Sequence, residues 1–76
     1  MNTFNLNAEW QDGKVNIIVD GETVRSVSPT HMQTYKFRIN NDDYYFLFEE
    51  SKIRGKQYRC IYLYPINEFK NNRIDL

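Results

Sequence analysis

The side chains with chemical potential are few in this 76-residue chain: one histidine, one cysteine, two acidic doublets and one run of cations. His31 follows Pro29-Thr30 in a predicted loop. Nucleophilic or acid–base catalysis needs a nucleophile, a base and a group that orients the base. Nothing near His31 in the sequence supplies them, so it reads as a surface residue. Cys60 lies in a strand pattern, where a free cysteine behaves as a small hydrophobe. A reactive thiolate needs cationic surroundings, whereas the neighbour expected across the sheet is Glu49.

The doublet Glu49-Glu50 cannot share a site, because adjacent strand residues point to opposite faces. Asp42-Asp43 falls in a turn cluster, where Asp bonds its own backbone. Zinc needs several Cys or His ligands, and calcium needs oxygen ligands at alternate positions. Neither pattern occurs, and the three glycines are isolated turn residues rather than a phosphate loop. The chain is therefore expected to be non-enzymatic, with no metal site and no cofactor.

Two groups of residues point to binding instead. Lys52, Arg54 and Lys56 place three cations within five residues at a predicted hairpin tip. Such a tip is either a soluble turn whose charges blunt edge pairing or a finger for phosphates or an acidic protein patch. The second group is a set of tyrosines whose placement depends on the strands that carry them.

Those strands are legible from alternation of apolar and polar residues. Phe4, Leu6, Ala8 and Trp10 alternate with Asn5, Asn7 and Glu9, and Val15, Ile17 and Val19 continue the pattern after Asp12-Gly13, a strong hairpin signal. A tight turn there sets Trp10 opposite Val15, Ala8 opposite Ile17 and Leu6 opposite Val19. A second turn at Asp20-Gly21 sets Val19 opposite Glu22 and Ile17 opposite Val24. The strand it leads into is weakly apolar, so it is expected at an edge and is a candidate for pairing into a homodimer. Ser28-Pro29 ends it, with Ser28 placed to cap a single helical turn over 29–33.

In the second half Tyr35, Phe37 and Ile39 alternate with Thr34, Lys36 and Arg38. A turn centred on residues 40–43 sets Ile39 opposite Tyr44, Phe37 opposite Phe46 and Tyr35 opposite Phe48. A turn at Arg54-Gly55 sets Phe48 opposite Ile61 and Phe46 opposite Leu63. The expected fold is a mostly β, single small antiparallel meander of five to six strands, barrel- or sandwich-like. Its strands fall near 4–10, 14–19, 22–27, 33–39, 44–50 and 57–64. Trp10, Ile17, Phe37, Phe46, Phe48 and Ile61 are expected in the core. In the tail, 66–76, Ile66, Phe69 and Arg73 lie at helical spacing, which predicts a short C-terminal helix or a frayed end.

The same register leaves a second face on the last three strands. Arg38 falls beside Tyr45 and Tyr64, Lys36 beside Leu47 and Tyr62, and Thr34 beside Glu49 and Cys60, with Tyr58 ending the row. This face is too apolar for ordinary solvated sheet and too polar for core. Either another element covers it, or it binds a protein through tyrosine and arginine contacts, or it stacks single-stranded nucleic acid on its tyrosines.

Composition narrows these readings. Ten Lys+Arg balance ten Asp+Glu, so the general basic footprint of nucleic-acid binding is absent. One cysteine excludes an intrachain disulfide, which points to a cytoplasmic protein. No apolar run approaches the ~18 residues of a membrane span, and the N-terminal segment lacks the basic and apolar regions of a secretory signal. Frequent Asn, Lys, Ile and Tyr match AT-rich coding, as in many phages and mobile elements. The expected function is protein binding by an inhibitor or regulator. A single-stranded RNA or DNA binder using the same tyrosines is the alternative.

Overall fold

Four two-residue turns organise the chain. In the computed structural model, which describes residues 4–76, both central residues of each turn have positive φ. The pairs are Asp12 and Gly13 (51° and 77°), Asp20 and Gly21 (49° and 84°), Asn40 and Asn41 (51° and 68°), and Arg54 and Gly55 (52° and 79°). This is the type I′ conformation, whose twist matches that of the flanking strands.

The described residues form seven strands: β1 (Leu6–Gln11), β2 (Lys14–Val19), β3 (Glu22–Val27), β4 (Thr34–Ile39), β5 (Asp42–Ile53), β6 (Lys56–Tyr64) and β7 (Arg73–Asp75), of which the four turns join β1 to β2, β2 to β3, β4 to β5 and β5 to β6. They form two antiparallel sheets, ordered β1-β2-β3 and β4-β5-β6-β7. Among the described residues no ladder joins the sheets, so the architecture is sandwich-like rather than a closed barrel. Their facing residues share one core. Ala8, Val15, Ile17, Val19 and Val27 come from the first sheet, and Phe37, Ile39, Tyr44, Phe46, Phe48, Ile61 and Leu63 from the second. Large aromatic side chains supply much of the apolar area that so short a chain can bury.

The first hairpin has the predicted register, Leu6 opposite Val19, Ala8 opposite Ile17 and Trp10 opposite Val15. The β5–β6 register is also as predicted, with Phe48 opposite Ile61 and Phe46 opposite Leu63. Other expectations need correction. A bulge between Ile17 and Ile18 sets Ile17 opposite Arg25, not Val24. The extra residue turns Val24 outward and twists the β3 edge, which blunts it for pairing. The Asn40-Asn41 turn has two residues rather than four. Ile39 therefore pairs with Asp42, Phe37 with Tyr44 and Tyr35 with Phe46, a shift of two from the predicted register. Asp42 and Asp43 accordingly belong to β5 and not to the turn.

Trp10 is half-buried rather than enclosed. The tail is neither a regular helix nor a loose end. A 3-10 turn spans Ile66–Glu68, and β7 then extends the sheet beside β6, with Ile74 facing inward between Arg73 and Asp75. Asn71 Oδ1 accepts the Arg73 N–H (3.2 Å) at the entry to this strand. Residues 28–33 cross from one sheet to the other without the predicted helical turn. This crossover is pinned by the Thr30 N–H donating to the Tyr35 hydroxyl (2.7 Å) and the Met32 N–H donating to the Phe48 carbonyl (2.8 Å). No helix among the described residues is long and apolar enough to cross a membrane.

Candidate functional site

Strand alternation sends Phe46, Phe48, Ile61 and Leu63 inward, so their neighbours Tyr45, Leu47, Tyr62 and Tyr64 must face out. On this outer face, Lys36, Tyr45 and Tyr64 form one row across β4, β5 and β6. Thr34, Leu47, Tyr62 and Arg73 form the next, and Glu49, Cys60 and Asp75 the third. Tyr45 is 43% exposed, while Leu47, Tyr62 and Tyr64 are half-buried against one another. The C-terminal segment does not lie over them. It joins the sheet edge as β7, and the first hairpin packs on the opposite side.

The two-residue shift at Asn40-Asn41 rearranges the predicted site. Lys36, not Arg38, stands beside Tyr45 and Tyr64, and Thr34, not Lys36, stands beside Leu47 and Tyr62. Arg38 lies one row nearer the turn, where its Nε bonds Asp43 Oδ1 at 2.9 Å in an exposed pair. Arg73, which the sequence reading left in the tail, enters the site. Its Cζ lies 5.7 Å from the Tyr62 ring centroid and its Nε 3.1 Å from Asp75 Oδ1. Period-two spacing of Ile74 and Leu76 is the signal that would have placed it.

Tyr62 also meets Cys60, two residues away on the same face. The side-chain hydrogen bond with the thiol, more than any other influence, holds the Tyr62 phenol above its usual pKa. Arg73 is likewise stabilised as a cation, chiefly by Asp75. Cys60 itself is buried and unpaired by any disulfide. Tyr58 is 51% exposed at the far end of the face, opposite Ser51.

The basic tip does not form a single cationic patch. Ile53 pairs with Lys56 and Lys52 with Gln57, so Lys52 and Lys56 fall on opposite faces of the hairpin, with Arg54 in the turn between them. Glu49 and Glu50 also face opposite ways. Glu50 is inward, where Arg59 bonds it at 3.2 Å. His31 has a partner that the sequence reading missed: its Nδ1 accepts the Glu50 N–H at 3.0 Å. Among the described residues no three His, Cys, Asp or Glu side chains gather as a metal site would require.

Fold and face together define a small antiparallel β domain whose four-stranded sheet presents a tyrosine-lined outer surface. No protein-family model, curated protein or solved structure matches the chain.

Proposed function

We propose that this chain is a non-enzymatic binding protein, an inhibitor or regulator that engages another protein in the cytoplasm through the outer face of β4–β7. The observation that carries this reading is the contiguous Tyr45–Tyr64 and Leu47–Tyr62 block. It stays at the surface, with β7 at the sheet edge and the first hairpin on the opposite face. Tyrosines offer large, fairly rigid contact area with a polar tip, which suits an interface that must also tolerate water. Lys36, Arg38 and Arg73 border the block and would set association rate and partner choice more than stability.

Single-stranded nucleic acid on the same tyrosines is the competing reading. Stacking needs open ring faces, and Arg73 already lies over Tyr62, which favours a protein partner. The test is capture from host lysate with the wild-type chain and with the double variant Tyr62→Ala/Tyr64→Ala, across a range of salt. A protein retained by the wild type at high salt and lost by the folded double variant supports the reading. Equal capture by both chains refutes it. Retention that disappears with nuclease, or falls steeply with salt, supports the nucleic-acid alternative.

A further inference from the structure

β4 stands in the middle of the chain, between the crossover and the Asn40-Asn41 turn, and carries a ladder on one side only. The Gln33 carbonyl accepts the Phe48 N–H (3.1 Å), and Ile39 pairs with Asp42 across the turn, so odd-numbered residues turn their backbone groups toward β5. Antiparallel alternation turns the N–H and C=O of Thr34, Lys36 and Arg38 to the other edge. Among the described residues no other strand or loop bonds them. All three residues are exposed.

Charge is segregated on this side of the molecule, where β3 borders β4 across the sandwich. Residues 23–41 make up most of β3, the crossover and all of β4. They contain Arg25, Lys36 and Arg38 and no carboxylate, which leaves the remainder of a neutral chain net acidic. The flanking carboxylates are Glu22 at the start of β3, and Asp42 and Asp43 at the start of β5. Asp43 is taken up by Arg38, and Glu49 lies two rows from Lys36 on the outer face. None of the three ion pairs among the described residues uses Arg25 or Lys36.

We infer that the free edge of β4 accepts an extended acidic segment of a partner protein as an added antiparallel strand centred on Lys36. Strand addition draws affinity from main-chain hydrogen bonds and specificity from alternate side chains. A residue directly opposite Lys36 exchanges both backbone bonds with it and sets its own side chain on the same outer face. Carboxylates on that face of the segment would meet Lys36 and Arg38. The intervening side chains would lie on the inner side, beside half-buried Tyr35 at the margin of the core, where apolar residues fit. The same cations disfavour a second copy of this chain, because pairing centred on Lys36 opposes two lysines. A nucleic acid would satisfy the cations but leave the backbone edge unused. This site does not depend on the tyrosine face being a binding surface.

The test is fluorescence anisotropy with the full chain and a labelled peptide of alternating valine and glutamate. Saturable binding is expected. N-methylation of the glutamate nitrogens, which face β4, should weaken it by about tenfold or more. N-methylation of the valine nitrogens, which face solvent, should leave it unchanged, and neither change touches the protein. Lys36→Gln should weaken binding several-fold. Lys52→Gln, at the distant hairpin tip, and Tyr62→Ala/Tyr64→Ala should not. The inference is overturned if the peptide does not bind, if methylation of the glutamate nitrogens has no effect, or if Lys52→Gln weakens binding as much as Lys36→Gln. Loss of the peptide by the Tyr62/Tyr64 variant also overturns it, by moving the site to the tyrosine face. So does binding of a single-stranded oligonucleotide of equal charge in place of the peptide.

Discussion

The guanidinium of Arg59 lies over the indole of Trp10, with Cζ 4.3 Å from the ring centroid. Trp10 in turn stacks on Phe48, centroids 5.7 Å apart and planes within 9°. Arg59 is fixed from its other side by Glu50. A cation borne by the second sheet thus closes the open end of the sandwich over the single tryptophan of the first.

Removing that cover should be visible in fluorescence. Arg59→Ala is expected to expose Trp10 and shift its emission to the red, with a stability loss of about 1 kcal/mol, the scale of a partly exposed cation–π contact. An unchanged emission maximum would mean that Trp10 is shielded by Phe48 alone.

Phe46 is fully buried and stacks with Tyr35 at 5.3 Å while touching Phe37. Phe46→Ala should cost on the order of 3–5 kcal/mol, enough to abolish cooperative melting in a domain of this size. Thermal and urea denaturation check this directly.

His31 acts as a backbone acceptor for β5. His31→Ala leaves the Glu50 N–H without that partner and should cost about 1 kcal/mol. Faster amide exchange at Glu50 is the specific readout. His31→Asn keeps an acceptor oxygen at comparable reach and should restore much of the protection.

Arg54 occupies a left-handed conformation at a turn position that favours asparagine. Arg54→Asn should therefore raise stability by about 1 kcal/mol, within the cost of that conformation for an ordinary residue. Equilibrium denaturation at fixed pH and salt measures the gain.

The Tyr62–Cys60 contact gives an alkaline signature. A phenol whose folded-state pKa is raised holds its proton more tightly in the native chain. Its stabilising contribution is present below the unfolded value, about 10 for tyrosine, and is lost as pH rises through the higher folded value. Tyr62→Phe should flatten this alkaline loss. Cys60→Ala should lower the last phenolate transition in an ultraviolet titration.

How much of this was legible differs by element, for physical reasons. Asp12-Gly13, Asp20-Gly21 and Arg54-Gly55 each name a two-residue turn, and the apolar pairs along the strands beside the first and third agree, whereas past Asp20-Gly21 the bulge takes Val24 off Ile17. Asn40-Asn41-Asp42-Asp43 contains no glycine and offers several turn centres. Phe37 and Tyr35 face apolar partners in either register, and the longer turn also gives Ile39 an apolar partner, Tyr44, where the structure gives it Asp42, so hydrophobicity favoured the wrong register. That ambiguity moved Lys36 into the place predicted for Arg38, and Arg38 one row on to Asp43, but could not turn the face over. The bulge at Ile17/Ile18 has no glycine or proline to announce it. In the tail, the spacing of Ile66, Phe69 and Arg73 imitates a helix. Pairing with β6 overrides that spacing, and a three-residue strand is too short to declare itself. The hydrogen bond to His31 joins residues 19 apart in sequence, so only the fold could reveal it.

The separation of the two sheets has a further consequence. Each completes its ladders within itself, and the bonds that pin the crossover all belong to the segment after Ser28. A backbone cut between Ser28 and Pro29 severs no ladder. Cut at that bond, the chain would give complementary halves, whose reassembly would be driven by the shared apolar core and the Arg59–Trp10 contact. Joined separately to two other proteins, the halves would form a split reporter that regains its shared core only when its carriers meet.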